Sequence, residues 1–430
     1  MAETPWRWLA HQIKVGVAVL VLANELFAGR AAAENKTPLS ELPSKPGPHI
    51  EKIRALADNS WLNLGAPAAD PKWGKARGRA WTAHMPLAAD LRGAFLYGEG
   101  VHGYTKPDGY YMDDLWFYDL HTHRWICLYP GTNVKEPGLK PDADGFPIDK
   151  DAQLTPVSLC VHGYDLLTYD NDLHKLMIMG VAEYHFVPKS LKALLPASGK
   201  VPPSSPWLYD VKTGKWQVHK LDGPVPEKGE GTLLYVASIK KAFYRSGKSE
   251  FVWFYDPSNR TWTRVAPKGP PRPPFGIDAS ACYDPKRDRI YIGGGSYPVA
   301  PAGTNAFWCF DLKTNTWLDL KPKGQPCLGH NDYGPSLAAM NYDSLNDAVV
   351  LCYHPTGDKS KAKATGIYVY DPAANAWSEK LLSMPEDWNR TPYGKAANSF
   401  YSPELNAHFF HVAGDSEDNG VMWAYRYKKK

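Results

Sequence analysis

One ten-residue pattern recurs five times along this 430-residue chain: aromatic, any residue, aromatic, aspartate, five residues, tryptophan. It reads Trp116-Phe117-Tyr118-Asp119 to Trp125, Trp207-Leu208-Tyr209-Asp210 to Trp216 and Trp253-Phe254-Tyr255-Asp256 to Trp262. It continues with Trp308-Cys309-Phe310-Asp311 to Trp317 and Tyr368-Val369-Tyr370-Asp371 to Trp377. No copy carries an insertion. Recurrence at intervals of roughly 45–90 residues requires an array of like structural units.

Each copy is a hairpin in outline. Aromatics two residues apart share one face of a strand. The aspartate then opens a tight turn, because its carboxylate can accept the backbone amides just ahead of it. Four residues after the aspartate stand His123, Gly214, Arg260, Asn315 and Asn375. That slot needs a left-handed backbone, which glycine and asparagine tolerate best. The tryptophan opens the return strand. A second hairpin precedes each of these. Ala281 to Gly295 reads as strand, polar turn, strand and glycine stop, with related runs at Leu167–Gly180, Met340–Tyr353 and Phe400–Gly414. Leu87–Gly100 and Leu234–Gly247 are weaker versions. Two hairpins make four strands, the size of one propeller blade.

The glycine-ended strand, the aromatic-Asp hairpin and the later tryptophan resemble the kelch repeat, from about residue 58 to the end of the chain. The resemblance implies an all-β fold, a kelch β-propeller, and leaves activity open, since one fold hosts unrelated functions. Asn59 stands two residues before Trp61, as Asn315 does before Trp317, so Asp58–Trp61 is the back half of a repeat. Trp423-Ala424-Tyr425-Arg426 is a front half with arginine in place of aspartate, where no hairpin follows. Five whole blades and one split blade make a six-bladed ring, closed by the N-terminal strand around Trp61. Closure removes the open sheet edge.

Residues 1–33 read as a cleaved signal peptide. They hold a basic start (Arg7, His11, Lys14), an apolar core at 15–23 and the small-residue run Ala31-Ala32-Ala33. Nine apolar residues are too few to span a bilayer. The mature chain is therefore expected to be secreted or periplasmic, with no transmembrane segment. Residues 34–57 read as a linker with a short helix, and 58–430 as the propeller. A net charge of +4 over this length makes no case for nucleic-acid binding. The six cysteines fall mostly within strands and lack zinc spacing, so buried free thiols are expected, and neither metal nor cofactor.

Eleven of the 16 tryptophans are accounted for by the repeat, and Trp6 and Trp8 by the signal. Trp73, Trp81 and Trp388 remain. They fall in the connections leading into and out of the last blade, with Tyr393 nearby, and all map to the face from which the long connections emerge. Exposed aromatics beside polar groups suit stacking on sugar rings or a protein hot spot. Glu99, His102, Glu183, His185, His330 and Asp415 follow blade-strand ends or enter blades at that same face. His84 and His162 fall on inner strands, where each either lines the channel or is a satisfied core histidine, the second being the expectation. The acidic run Asp142, Asp144, Asp149 and Asp151 lacks the spacing of a calcium loop and reads as solvated.

Two functions fit. The first is a ligand-binding module that holds a glycan or a protein partner on the long-loop face through Trp73, Trp81, Trp388, Tyr393, Asp415, Glu183 and His185. The second is an enzyme acting on carbohydrate. In size and compartment the chain resembles sialic-acid mutarotases, which are exported six-bladed kelch proteins; Glu99, His102 and His330 would then transfer protons. Galactose-oxidase-like copper enzymes are similar only in their propeller core, and Tyr353-His354 matches their Tyr-His pair superficially. Expressed with its own start in a bacterium, the protein should be recovered outside the cytoplasm with Glu34 as its first residue, checked by N-terminal sequencing.

Overall fold

The computed structural model of the chain describes residues 36–429 except 80–81, 99–108, 111–112, 134, 136–137, 157–164, 180–204, 222, 228–230, 248, 271–278, 295–306, 325–338, 354–364, 389–396 and 413–419. A short helix, α1 (His49–Ala55), precedes β1 (Ser60–Gly65). Blade one is β2 (Leu87–Ala88), β3 (Gly93–Tyr97), β4 (Leu115–Asp119) and β5 (Arg124–Tyr129). A two-stranded finger, β6 (Lys140–Pro141) and β7 (Pro147–Ile148), leads to blade two: β8 (Leu167–Asp170), β9 (Lys175–Ile178), β10 (Trp207–Asp210) and β11 (Lys215–Val218). Blade three is β12 (Gly231–Val236), β13 (Lys241–Ser246), β14 (Val252–Asp256) and β15 (Thr261–Val265). Blade four is β16 (Ala279–Asp284), β17 (Arg289–Gly294), β18 (Phe307–Asp311) and β19 (Thr316–Asp319). Blade five is β20 (Ala339–Asp343), β21 (Ala348–Tyr353), β22 (Gly366–Asp371) and β23 (Ala376–Trp377), and β24 (Asn398–Ser402), β25 (Ala407–Val412) and β26 (Val421–Arg426) follow.

Blade six is the split one. Its order is β1-β26-β25-β24, so the first strand of the chain is hydrogen-bonded to the last. In the five continuous blades the repeat tryptophan faces the second aromatic of its motif across an antiparallel pair, as Trp317 faces Phe310 and Trp377 faces Tyr370. Trp61 faces Tyr425 in the same way. Ring centroids in the six pairs are 5.0–5.4 Å apart. Each such pair adds about 0.5–1.5 kcal/mol beyond burial of its area. The slot residue is also restored. Asn59 has φ 47°, against 46° at Asn375, and its Oδ1 accepts the Tyr425 hydroxyl at 2.8 Å, as Asn375 accepts Tyr370 at 2.9 Å.

All six slot residues, His123 and Arg260 included, have positive φ, so the left-handed turn is kept where the side chain does not favour it. The turn aspartates behave as their chemistry requires: Asp210 Oδ1 accepts the amides of Lys212 and Thr213, and Asp371 Oδ1 those of Ala373 and Ala374. Arg426 replaces that aspartate and has other work. Its guanidinium donates to the carbonyls of Ile53 and Leu405 at 2.8 and 2.9 Å, which ties α1 to blade six.

Six hydrophobic clusters form the core, one in each gap between neighbouring blades. Cys127, Cys282, Cys309 and Cys352 are buried within it; Cys160 and Cys327 lie outside the described residues. The segment 37–56 is docked rather than loose. Thr37 donates to Val211 O, the Gly47 amide to His121 O, and Ile50 and Ile53 are fully buried. Among the described residues no helix is long and apolar enough to cross a membrane.

At one end of the blades every one of the eleven hairpin turns is four residues long, for example 89–92 and 312–315. The connections at the opposite end of the blades run from five residues (247–251) to 37 (130–166). The ring therefore has a plain turn end and an elaborate loop end. Asn59→Ala is expected to cost about 2–3 kcal/mol, from two lost hydrogen bonds, with the Tyr425 hydroxyl and the Leu381 carbonyl, and a strained left-handed residue, and to lower Tm. Deletion of residues up to Gly65 should leave the β26 edge unpaired and shift the protein to oligomers on size-exclusion chromatography.

Candidate functional site

The channel on the ring axis is bounded by the innermost strand of each blade. Of the residues singled out in the sequence, Trp81, Glu99, His102, Glu183, His185, His330, Tyr393 and Asp415 lie outside the described residues, as does His162. Trp73 and Trp388 are described, and both are half-buried. Trp73 meets Tyr110 edge-on at 5.4 Å, carries Lys72 over its ring, and packs on the cluster between blades six and one. Asp70 holds it there, accepting the Lys72 and Trp73 amides on Oδ1 and the Cys127 amide of β5 on Oδ2. Trp388 lies against Trp61, Phe410 and Trp423 at 5.3–6.1 Å, in the cluster between blades five and six. The sheet of blade six thus stands between the two tryptophans.

Arg79 and residues 82–85 tie three blades together at the loop end of the channel. Arg79 and Asp114 form a buried ion pair at 2.7 Å, and Trp116 Nε1 donates to the other Asp114 oxygen at 2.6 Å. Asn398, at the start of β24, accepts the Arg79 amide and donates to the carbonyls of Arg79 and Thr82. On the other side Asp165 Oδ1 accepts the Thr82 hydroxyl and the amides of Ala83 and His84. Such a pair is costly to desolvate and persists where further hydrogen bonds hold it from several sides; Arg79 Nε has no partner among the described residues. His411 lies fully buried beside Arg79; burial first, and the guanidinium second, push its pKa down to about 3. Neither of its ring nitrogens has a hydrogen-bond partner among the described residues. The Thr232 and Ser280 hydroxyls occupy the repeat position of His84 on β12 and β16 and likewise lack partners among the described residues.

His84 does not behave as the core histidine expected from sequence. It lines the axial cavity, because blade one has only a two-residue inner strand and the extended segment before it supplies the wall. Burial lowers its pKa, opposed by Asp165. The acidic run is a solvated finger, as expected: Asp142 and Asp149 each cap their own turn through backbone amides. Among the described residues no three of His, Cys, Asp and Glu form a metal-holding group.

At the turn end the channel opens into a cavity of about 330 Å³ lined from all six blades. Its wall includes Tyr169, Tyr235, Tyr283, Tyr342 and Tyr401, with Leu87 in the sixth place. This collar is not among the sites expected from the sequence, although its spacing is plain there. Each of the six stands five residues before a positive-φ turn residue: Arg92, His174, Lys240, Asp288, Asp347 and Asn406.

No family model matches the chain. A segment is 27% identical over 165 residues to the Kelch domain-containing protein 1 of Mus musculus, a match spanning 30% of this chain and 40% of that relative. Among solved structures, an oligogalacturonate lyase in complex with manganese is similar at 13% identity, with 86% of this chain and 98% of that chain covered and a TM-score of 0.41. An auxiliary nutrient binding protein from Bacteroides thetaiotaomicron is similar at 10% identity, with 85% and 75% covered and a TM-score of 0.44.

Asp113, next to the buried ion pair, provides a pH test of this end. Burial pushes its pKa up to about 7, against hydrogen bonds from the Thr132 hydroxyl and amide. A carboxyl raised in the folded state binds more protons there than in the unfolded chain, so its contribution falls as pH climbs from about 4 to about 7. Asp113→Asn should therefore gain stability relative to wild type across that window, on the order of 2 kcal/mol, read by chemical denaturation at pH 5 and pH 8.

Proposed function

We propose that this kelch-like six-bladed β-propeller is an exported ligand-binding module that holds a glycan or a protein partner on its loop end. The observation that carries the reading is the asymmetry of the connections. Eleven turns of four residues close one end, and the connections at the other are longer and varied in length and sequence. Recognition residues gather on variable loops held by a rigid frame, since loops tolerate change that packed strands do not. The buried ties of Arg79, Asp114, Asp165 and Asn398 supply such a frame at that end. Trp81, Tyr393, Glu183, His185 and Asp415 would make the contacts, with the free parts of Trp73 and Trp388 at either side of blade six.

The mature chain from Glu34, screened on glycan and protein arrays, should bind a defined ligand. Trp81→Ala, Tyr393→Ala and Asp415→Ala should each weaken binding at least about tenfold, the range of an interface hot spot. Lys212→Ala and Lys313→Ala, at exposed turn positions, should leave it unchanged. Full affinity in all three loop-end variants would overturn the assignment. Trp388→Ala is expected to lower stability by about 2 kcal/mol through lost ring packing, so its binding is read only after Tm is matched.

A further inference from the structure

A second recognition site stands at the opposite end of the channel, independent of the loop-end reading. We infer that the turn-end cavity binds an organic ammonium cation, held over the faces of the tyrosine collar.

The wall comes from one repeat position in every blade and its neighbours. Five of the six residues at that position are tyrosine, although Leu87 shows that the fold accepts an aliphatic there. Three phenols spend their proton on a carboxylate of a hairpin turn. Tyr235 donates to Asp172, Tyr283 to Asp288 at 2.8 Å and Tyr342 to Asp347 at 2.7 Å. Tyr401 donates to the Asn406 amide oxygen at 3.2 Å, and Tyr169 has the charge of Asp90 beside it. A phenol that donates to an anion is left with an electron-rich ring and a free lone pair, which attracts positive charge.

The wall also decides against other ligands. Its lining includes no lysine, arginine, aspartate or glutamate, and its one imidazole, His84, is held toward the neutral form by burial. An anion would find few donors and no countercharge. Lys240, Lys286 and Arg287 meet the turn carboxylates but do not line the cavity. The floor is largely apolar, with Met85, Pro86, Leu234 and Phe400, so the methyl or methylene shell of an alkylated ammonium would be covered while its charge faces the rings. Beside the mouth, Leu173 and Ile239 hold equivalent places on the first turns of blades two and three. They are the large hydrophobic residues most open to solvent among those described, at 38% and 41%. The docked N-terminal segment bonds to the outer hairpin turns of blades one and two through His121 and Val211.

The full mature chain is titrated with choline, with its neutral isostere 3,3-dimethylbutan-1-ol, and with a capped Gly-Lys-Gly peptide, by calorimetry or ligand-observed NMR. Saturable choline binding is expected, about tenfold tighter than the isostere. Tyr342→Leu should weaken choline about tenfold. Ala237→Trp, at an exposed position in the wall, should block binding while Tm stays at the wild-type value. If the peptide displaces choline, the natural cation is a side chain of a protein partner; if it does not, a free small ammonium compound. Equal affinity for choline and the neutral isostere, choline binding that survives Ala237→Trp, or no saturable binding of either cation would overturn the proposal. The loop-end variants Trp81→Ala and Tyr393→Ala should leave choline binding intact, which keeps the two sites separable.

Discussion

The pairing of β1 with β26 is the constraint on which the molecule rests. A blade contributes half of each inter-blade cluster, so no blade buries its apolar faces alone. An open arc of six would leave two outer faces and a sheet edge in water. The chain avoids this by placing one strand of blade six sixty residues from one terminus and the other three at the far end. Trp61, Asn59 and Tyr425 reproduce the pairing of an uninterrupted hairpin across a gap of more than 350 residues.

Closure separates two kinds of surface. Hairpin turns have one preferred length because strand twist and a left-handed fourth residue leave little choice. Inter-blade connections carry no such restriction beyond spanning the distance, and they diverge freely. The loop end is consequently where connections vary in length from blade to blade, while the turn end repeats one turn length and places tyrosine at the same position in five blades of six. Each end suits a different mode of recognition. One offers individual loops, the other a ring of equivalent rings around an axis.

Buried polar groups mark where the frame is under most demand. Blade one has a two-residue inner strand, and Arg79, Thr82 and His84 substitute for the rest of it through their partners on blades six, one and two. The ion pair of Arg79 with Asp114 and the near-neutral carboxyl of Asp113 sit in this region. Such groups persist in a core only when their geometry is held from several sides. Here they give a short, irregular segment one position.

The repeat could be read from the chain because its period is carried by residues whose roles are local. Aspartate at a turn, a left-handed residue four later and an aromatic pair across a hairpin all act within ten residues, and the split of blade six shows in the sequence as that same motif cut in two between the termini. Much of the site could not be read this way. That the blade-six sheet parts Trp73 from Trp388, that His84 reaches the axis, and that Arg79 finds Asp114 are outcomes of where distant segments meet. The tyrosine collar lies between these cases. Its spacing is visible in every blade, but five tyrosines become one cavity only when six sheets are arranged about a common axis. Sequence alone determined the unit and the closing of the ring, since both follow from neighbours along the chain or from a motif cut in two. Only the tertiary structure decided which side chains share a surface, because that depends on the angle at which each blade is held against the next.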